Sequence, residues 1–299
     1  MTKKFIPFIV AISGILTLLS YSSIAKADSV ACTTNGSGEI TDPLACFSLA
    51  SQMQFPVTKI ALCQSKPPAP TLSTPVDISK CVTLINNPGG TPVVVRKGGV
   101  TQLPGQLNSL STLSGGKNNG VSYSYAYIEA DAYSSVQATS TFSSNRTGVE
   151  NPGTPGVVCW TTDATFYSYM TGAPSAGSRC GSVASNPGIT KVLLNSLGTN
   201  GAYMSYSSTS NGITTDSYLV DSSLRQAAAT TAGNMGTVSK IVNIQTLPIT
   251  ITQQSAGIKA MVQVSQGAWI LQQSSGPNLW FQNGNANLVL SSCGDNRCN

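Results

Sequence analysis

The stretch SYSYAYIEADAYSSV, residues 122–136, places Tyr123, Tyr125, Tyr127 and Tyr133 at alternate positions, with Glu129 and Asp131 in the same phase. A period of two belongs to an extended strand, whose successive side chains leave on opposite faces. The other phase, Ser122, Ser124, Ala126, Ile128, Ala130 and Ala132, is mostly small. A second layer can therefore approach closely on that side, while the tyrosines line a half-exposed wall with their hydroxyls in water.

The rest of the chain agrees with a sheet protein. Asn-Gly occurs at 35–36, 119–120, 200–201, 211–212 and 283–284, and Asn-Pro-Gly at 87–89, 151–153 and 186–188. Asn and Gly accept the positive φ of tight turns, so these positions mark strand connections. Strands are predicted at 55–63, 91–97, 157–168, 202–208, 214–220 and 285–292, and in GIKAMVQVSQ residues Ile258, Ala260, Val262 and Val264 alternate with Lys259, Gln263 and Ser265, Met261 being the exception. In IVNIQTLPITIT, Val242 and Ile244 share a phase that Leu247, Ile249 and Ile251 do not. A bulge near Thr246-Leu247-Pro248 must reset the register, and Pro248 favours a sheet edge.

Helix signals are few. Asp42-Pro43 suits a cap and first helical position, and Leu44, Phe47, Ala50 and Met53 follow at three-residue spacing, predicting a short helix over 43–53. SSLRQAAATTAG (222–233) reads either as a second helix or as an irregular loop. KPPAPTLSTP (66–75) is proline-rich and predicts an extended loop between Cys63 and Cys81. The expected fold is all-β, a disulfide-stapled sandwich or jelly-roll-like architecture with one or two short helices. SSNRTGVENPGTPG (143–156) reads as a connection, dividing the chain into a domain over 28–145, a linker over 146–156 and a domain over 157–299. One sandwich over 28–299 is the competing division.

Lys3 and Lys4 precede the apolar run FIPFIVAISGILTLL, after which the small and polar residues SYSSIAKA end in Ala25-Lys26-Ala27. This is the pattern of a secretory signal peptide cleaved after Ala27, and the run is shorter than the ~20 residues a membrane span needs. Expected locations are the cell surface or the medium, with no membrane span after cleavage. Eight cysteines, Cys32, Cys46, Cys63, Cys81, Cys159, Cys180, Cys293 and Cys298, follow the cut. In an exported chain an even number reads as disulfides. Pairing in chain order, 32–46, 63–81, 159–180 and 293–298, is the expectation. Only 9% of residues are charged and the net charge is +5, less once Lys3, Lys4 and Lys26 depart with the leader. That is no electrostatic footprint for nucleic acid.

The chain contains no histidine, which removes Ser-His-Asp and Cys-His catalysis and imidazole metal sites. No cofactor and no metal site are expected. Neighbours in one phase of a strand stand roughly 6.6–6.8 Å apart, so Glu129 and Asp131 would project together beside Tyr127 and Tyr133. Two carboxylates beside aromatic rings suit sugar chemistry. Glu129-Ala130-Asp131 is similar to the E-x-D opening of a strand motif in a jelly-roll family of glycoside hydrolases, but the third acid is missing where Tyr133 and Ser134 stand. An enzyme would have to take a further acid from a distant segment, such as Asp163, Asp216 or Asp221. A calcium site needs six or more oxygens, and two are visible. Trp160, beside Cys159, reads as core, whereas Trp280-Phe281, between SSGPN and NGNAN, sits where an aromatic pair can meet a ligand or another subunit.

The candidate ligand-binding residues are thus Tyr127, Glu129, Asp131, Tyr133 and Trp280. The expected function is that of an exported bacterial structural or adhesive protein, at the cell surface or outside it, with a self-assembling surface or filament subunit as one form of that role, and not an enzyme. A lectin-like carbohydrate-binding module is the alternative, with a glycoside hydrolase or lyase behind it. The expected partners are other copies of itself or surface glycans.

Overall fold

The computed structural model describes residues 31–42, 45–88, 93–96, 100–102, 121–151, 153–169, 177–197, 202–210, 213–251, 257–272 and 278–293. The expected leader and Cys298 lie outside them, and of the five Asn-Gly pairs those at 35–36 and 283–284 fall within. The described residues form twenty strands in three sheets and no helix.

The nine-stranded sheet runs β1 (Thr33–Thr34), β2 (Ile40–Asp42), β11 (Thr139–Gly148), β20 (Asn278–Cys293), β19 (Gly257–Gln272) and β3 (Ala45–Ser48). On it, β12 (Gly156–Thr161) joins β11, β14 (Ser178–Gly181) joins β12, and β8 (Val100–Gln102) joins β19. The five-stranded sheet runs β13 (Ala164–Tyr167), β15 (Thr190–Leu193), β10 (Tyr133–Gln137), β4 (Gln52–Phe55) and β7 (Val93–Arg96). The six-stranded sheet runs β16 (Ser205–Ser210), β17 (Ile213–Val220), β18 (Lys240–Ile251), β9 (Val121–Asp131), β5 (Val57–Cys63) and β6 (Cys81–Asn86). Every sheet takes strands from both sides of residues 146–156, and that segment itself holds the end of β11 and the first residue of β12.

The opening stretch organises all three layers. β9, β10 and β11 are separated only by Ala132 and Ala138, yet each belongs to a different sheet. At both bends the backbone stays bonded: Ala132 N–H donates to Ser239 O at 3.0 Å and its carbonyl accepts from Leu194 N–H at 2.8 Å, while Ala138 O accepts from Thr161 N–H at 3.0 Å. Both alanines are buried, so the chain turns from layer to layer where a larger side chain has no room.

Met53 of β4 and Val136 of β10 pack with Phe142, Ile270, Leu279 and Phe281 of the nine-stranded sheet in one buried cluster. Two inner faces sharing a core is sandwich packing. The six-stranded sheet is buried on both sides instead. On one side Tyr127, Val242 and Ile244 pack under Val76, Ile78 and Leu224. On the other, Leu219 and Ile241 pack with Met204, Ala227 and Val238.

The expected helix over 43–53 is replaced by β3 and β4 in its described part. Cys46 is tied to Cys32, Ala45–Ser48 ladder onto β19, and Gln52–Phe55 ladder onto β10 and β7. The three-residue spacing is a coincidence of two short strands, overridden by long-range pairing. Residues 222–233 are irregular. Asp221 Oδ1 accepts from the N–H groups of Ser223 and Arg225 at 2.8 and 3.0 Å, and Leu224 has φ 61°, which no helix continues through.

Other expectations hold. The register of β18 shifts between Thr246 and Ile249, and Pro248 lies beyond Gln245, the last β18 residue paired with β17. Among the described residues β18 is laddered on one side only there, where proline is tolerated. The disulfides Cys32–Cys46, Cys63–Cys81 and Cys159–Cys180 are formed as paired in chain order. The fourth expected pair involves Cys298, outside the described residues. Asn35 makes the predicted turn, its Oδ1 accepting from Ser37 and Glu39 N–H at 3.0 Å each, and Asn186 adopts φ 49°. Asn283-Gly284 does not turn the chain but lies within β20, where Asn283 pairs with Ala268 of β19.

Candidate functional site

The tyrosine phase of β9 is closed rather than open. Residues 64–80 leave β5 at Cys63, cross the face and return to β6 at Cys81, the two cysteines being direct ladder partners. This proline-rich strap is pinned to the 221–226 turn: Val76 N–H donates to Leu224 O at 3.1 Å and Gln226 N–H to Thr71 O at 2.9 Å. Tyr123 and Tyr127 are buried and Tyr125 half-buried.

Beneath the strap lies a carboxylate with a full set of donors. Tyr127 and Glu129 stand two apart in one phase, and Tyr127 Oη donates to Glu129 Oε2 at 2.9 Å. Val57 pairs with Ala130 and Lys59 with Glu129, leaving Thr58 as the extra residue of a bulge. Bulges re-aim side chains, and here Thr58 Oγ1 donates to Glu129 Oε1 at 2.9 Å. Lys240, the first residue of β18, pairs its Nζ with the same oxygen. Burial alone would raise the Glu129 carboxyl, but the hydrogen bonds from Lys240, Thr58 and Tyr127 hold it below the ordinary carboxylate range. Burial first, and the neighbouring Glu129 charge second, push the Tyr127 phenol far above its ordinary value. The result is a fixed anion and a neutral phenol, an ion-pair network and a poor proton donor to anything outside it.

The remaining candidates are dispersed. Asp131 ends β9, half-buried and opposite Lys240 in register, with its N–H donated to Pro56 O at 3.1 Å. Tyr133 begins β10 in the five-stranded sheet, and Lys191 Nζ sits 3.8 Å from the centre of its ring. A cation so placed occupies one face of the ring. Trp280 is in β20 of the nine-stranded sheet, paired with Leu271. The bend at Ala132 thus parts Tyr133 from Tyr127, Glu129 and Asp131, and with Trp280 on β20 the five residues lie on three sheets.

The distant acids are engaged where they stand. Asp163 Oδ1 accepts from Ile189 N–H at 2.7 Å, Asp221 pairs with Arg225 at 2.8 Å, and Asp216 pairs with Lys66 of the strap at 2.5 Å. Trp160 is buried against Gly181, the neighbour of Cys180, as core. Thr58 and Lys240 escaped the sequence reading. Lys240 had a signal, because it stands in phase with Val242 and Ile244, the buried side of its strand. Thr58 had none, since the bulge that turns it inward depends on the β9 register.

Among the described residues no group of three or more Cys, Asp or Glu is placed to hold a metal ion, and no helix is long and apolar enough to cross a membrane. The chain matches no protein-family model, no curated protein and no solved structure.

Proposed function

We propose that the chain is an exported bacterial protein of the cell surface or its surroundings, with a structural or adhesive role exercised through sheet edges. One observation carries the reading. β16, SYSSTS, is the outermost strand of the six-stranded sheet among the described residues, rich in hydroxyls, free of charge and solvent-exposed along most of its length. Such an edge is a template for strand addition, the contact by which many surface components associate. Three disulfides support an oxidising location.

The test is immunolabelling of intact native cells and their medium, with mass spectrometry of the recovered protein. Label on intact cells or in the medium, with oxidised cysteines, is the expected result. Detection only after lysis, with free thiols, refutes the proposal.

A further inference from the structure

We infer that β16 is a self-pairing edge, to which a second copy of this chain adds its own β16 antiparallel across a two-fold axis at Ser207. This rests on the reading of contact by strand addition and names the partner. Among the described residues β16 pairs with β17 alone, in an unbroken ladder from Ser205↔Tyr218 to Ser210↔Ile213. Leu219 N–H donates to Met204 O at 2.8 Å. Antiparallel alternation from that pair turns the backbone groups of Tyr206, Ser208 and Ser210 toward β17 and those of Ser205, Ser207 and Thr209 outward.

Three features select a second copy as the occupant. First, the strand has no lysine, proline or bulge, the devices that blunt natural edges. Secondly, the opposite edge of the same sheet, β6, is irregular: Ile60 pairs with Ile85 but Ala61 with Thr83, leaving Leu84 over. A bulged edge is a poor template, which disfavours head-to-tail growth of β16 onto β6. Thirdly, β16 complements itself. About Ser207, Ser205 stands opposite Thr209 of the copy and Tyr206 opposite Ser208, so hydroxyls meet hydroxyls and no like charges meet. The contact is one strand long and below the roughly 1,000 Å² of a lasting interface, so the dimer is reversible.

Sedimentation velocity of the disulfide-intact protein from about 1 μM to about 1 mM tests it, beside a Ser205→Lys/Thr209→Lys variant that opposes lysines across the axis. The expected result is a concentration-dependent dimer that the variant loses while keeping its circular dichroism. A monomer throughout, or a folded variant that dimerises like the parent, overturns the inference. Should the variant misfold, amide exchange decides: protection at Ser205, Ser207 and Thr209 must rise with concentration in the parent, and constant exchange there overturns the pairing. A monomer found on the cell surface overturns only the pairing, whereas a dimer confined to the cytoplasm overturns only the surface reading.

Discussion

Lys240→Met tests whether the buried anion depends on its counter-charge. The Glu129 side chain is 5% exposed and that of Lys240 24%. The variant leaves the carboxylate its bonds from Tyr127 and Thr58 but removes the one cation paired with it among the described residues. Breaking a buried pair from one side costs about 3–5 kcal/mol. The partial exposure of Lys240 and the two surviving donors bring the expected loss down to about 2–3 kcal/mol. At about 2–4 °C per kcal/mol for a domain of this size, the melting midpoint falls by roughly 5–10 °C. The pH dependence follows from the same group. The folded Glu129 carboxyl lies below its ordinary value, so between that value and the ~4.3 of an unfolded glutamate the unfolded chain binds more protons. Its contribution is present above that window and lost as acid is added through it. In Lys240→Met burial is opposed by fewer donors, so the acid limb moves to higher pH. Thermal unfolding followed by circular dichroism, from about pH 3 to about pH 7, reads both effects. Glu129→Gln/Lys240→Met removes both charges and recovers part of the loss, giving a non-zero coupling. A Lys240→Met protein with the parent's midpoint and acid limb refutes the reasoning.

Cys63→Ser/Cys81→Ser opens a disulfide of sequence separation 18 and costs about 3 kcal/mol. It also frees the strap, so limited trypsin digestion should cut after Lys80 sooner than in the parent, Lys66 being shielded by Pro67; unchanged resistance counts against the strap being held by its staple. Gly156→Ala sets a Cβ 2.2 Å from the Gly181 backbone, where no side chain can move aside. A loss above about 3 kcal/mol, or failure to accumulate, is expected. Gly36→Ala meets open space and should melt with the parent, so equal behaviour of the two variants would discredit the packing of β12 on β14.

Alternation and turn residues revealed the strand content because both are local. The β18 bulge was legible because Val242 and Ile244 fall out of phase with Ile249 and Ile251. The three layers were not, since nothing in SYSYAYIEADAYSSV distinguishes Ala132 from Ala130: one ends a strand and the other does not. That difference is made by Ser239 and Leu194, whose backbones receive and supply the bonds at the bend. The site was half legible for the same reason. Tyr127 and Glu129 share a phase by counting, whereas the strap that covers them comes from residues 64–80 and the lysine from position 240.

The dealing of strands between layers has a consequence for synthesis and transport. β18 lies inside the six-stranded sheet and β19 and β20 inside the nine-stranded one, so neither layer closes before the last third of the polypeptide has emerged. Such non-local assembly is slow. The export proposed above would therefore move a chain whose layers are still open, with its final shape reached on the far side.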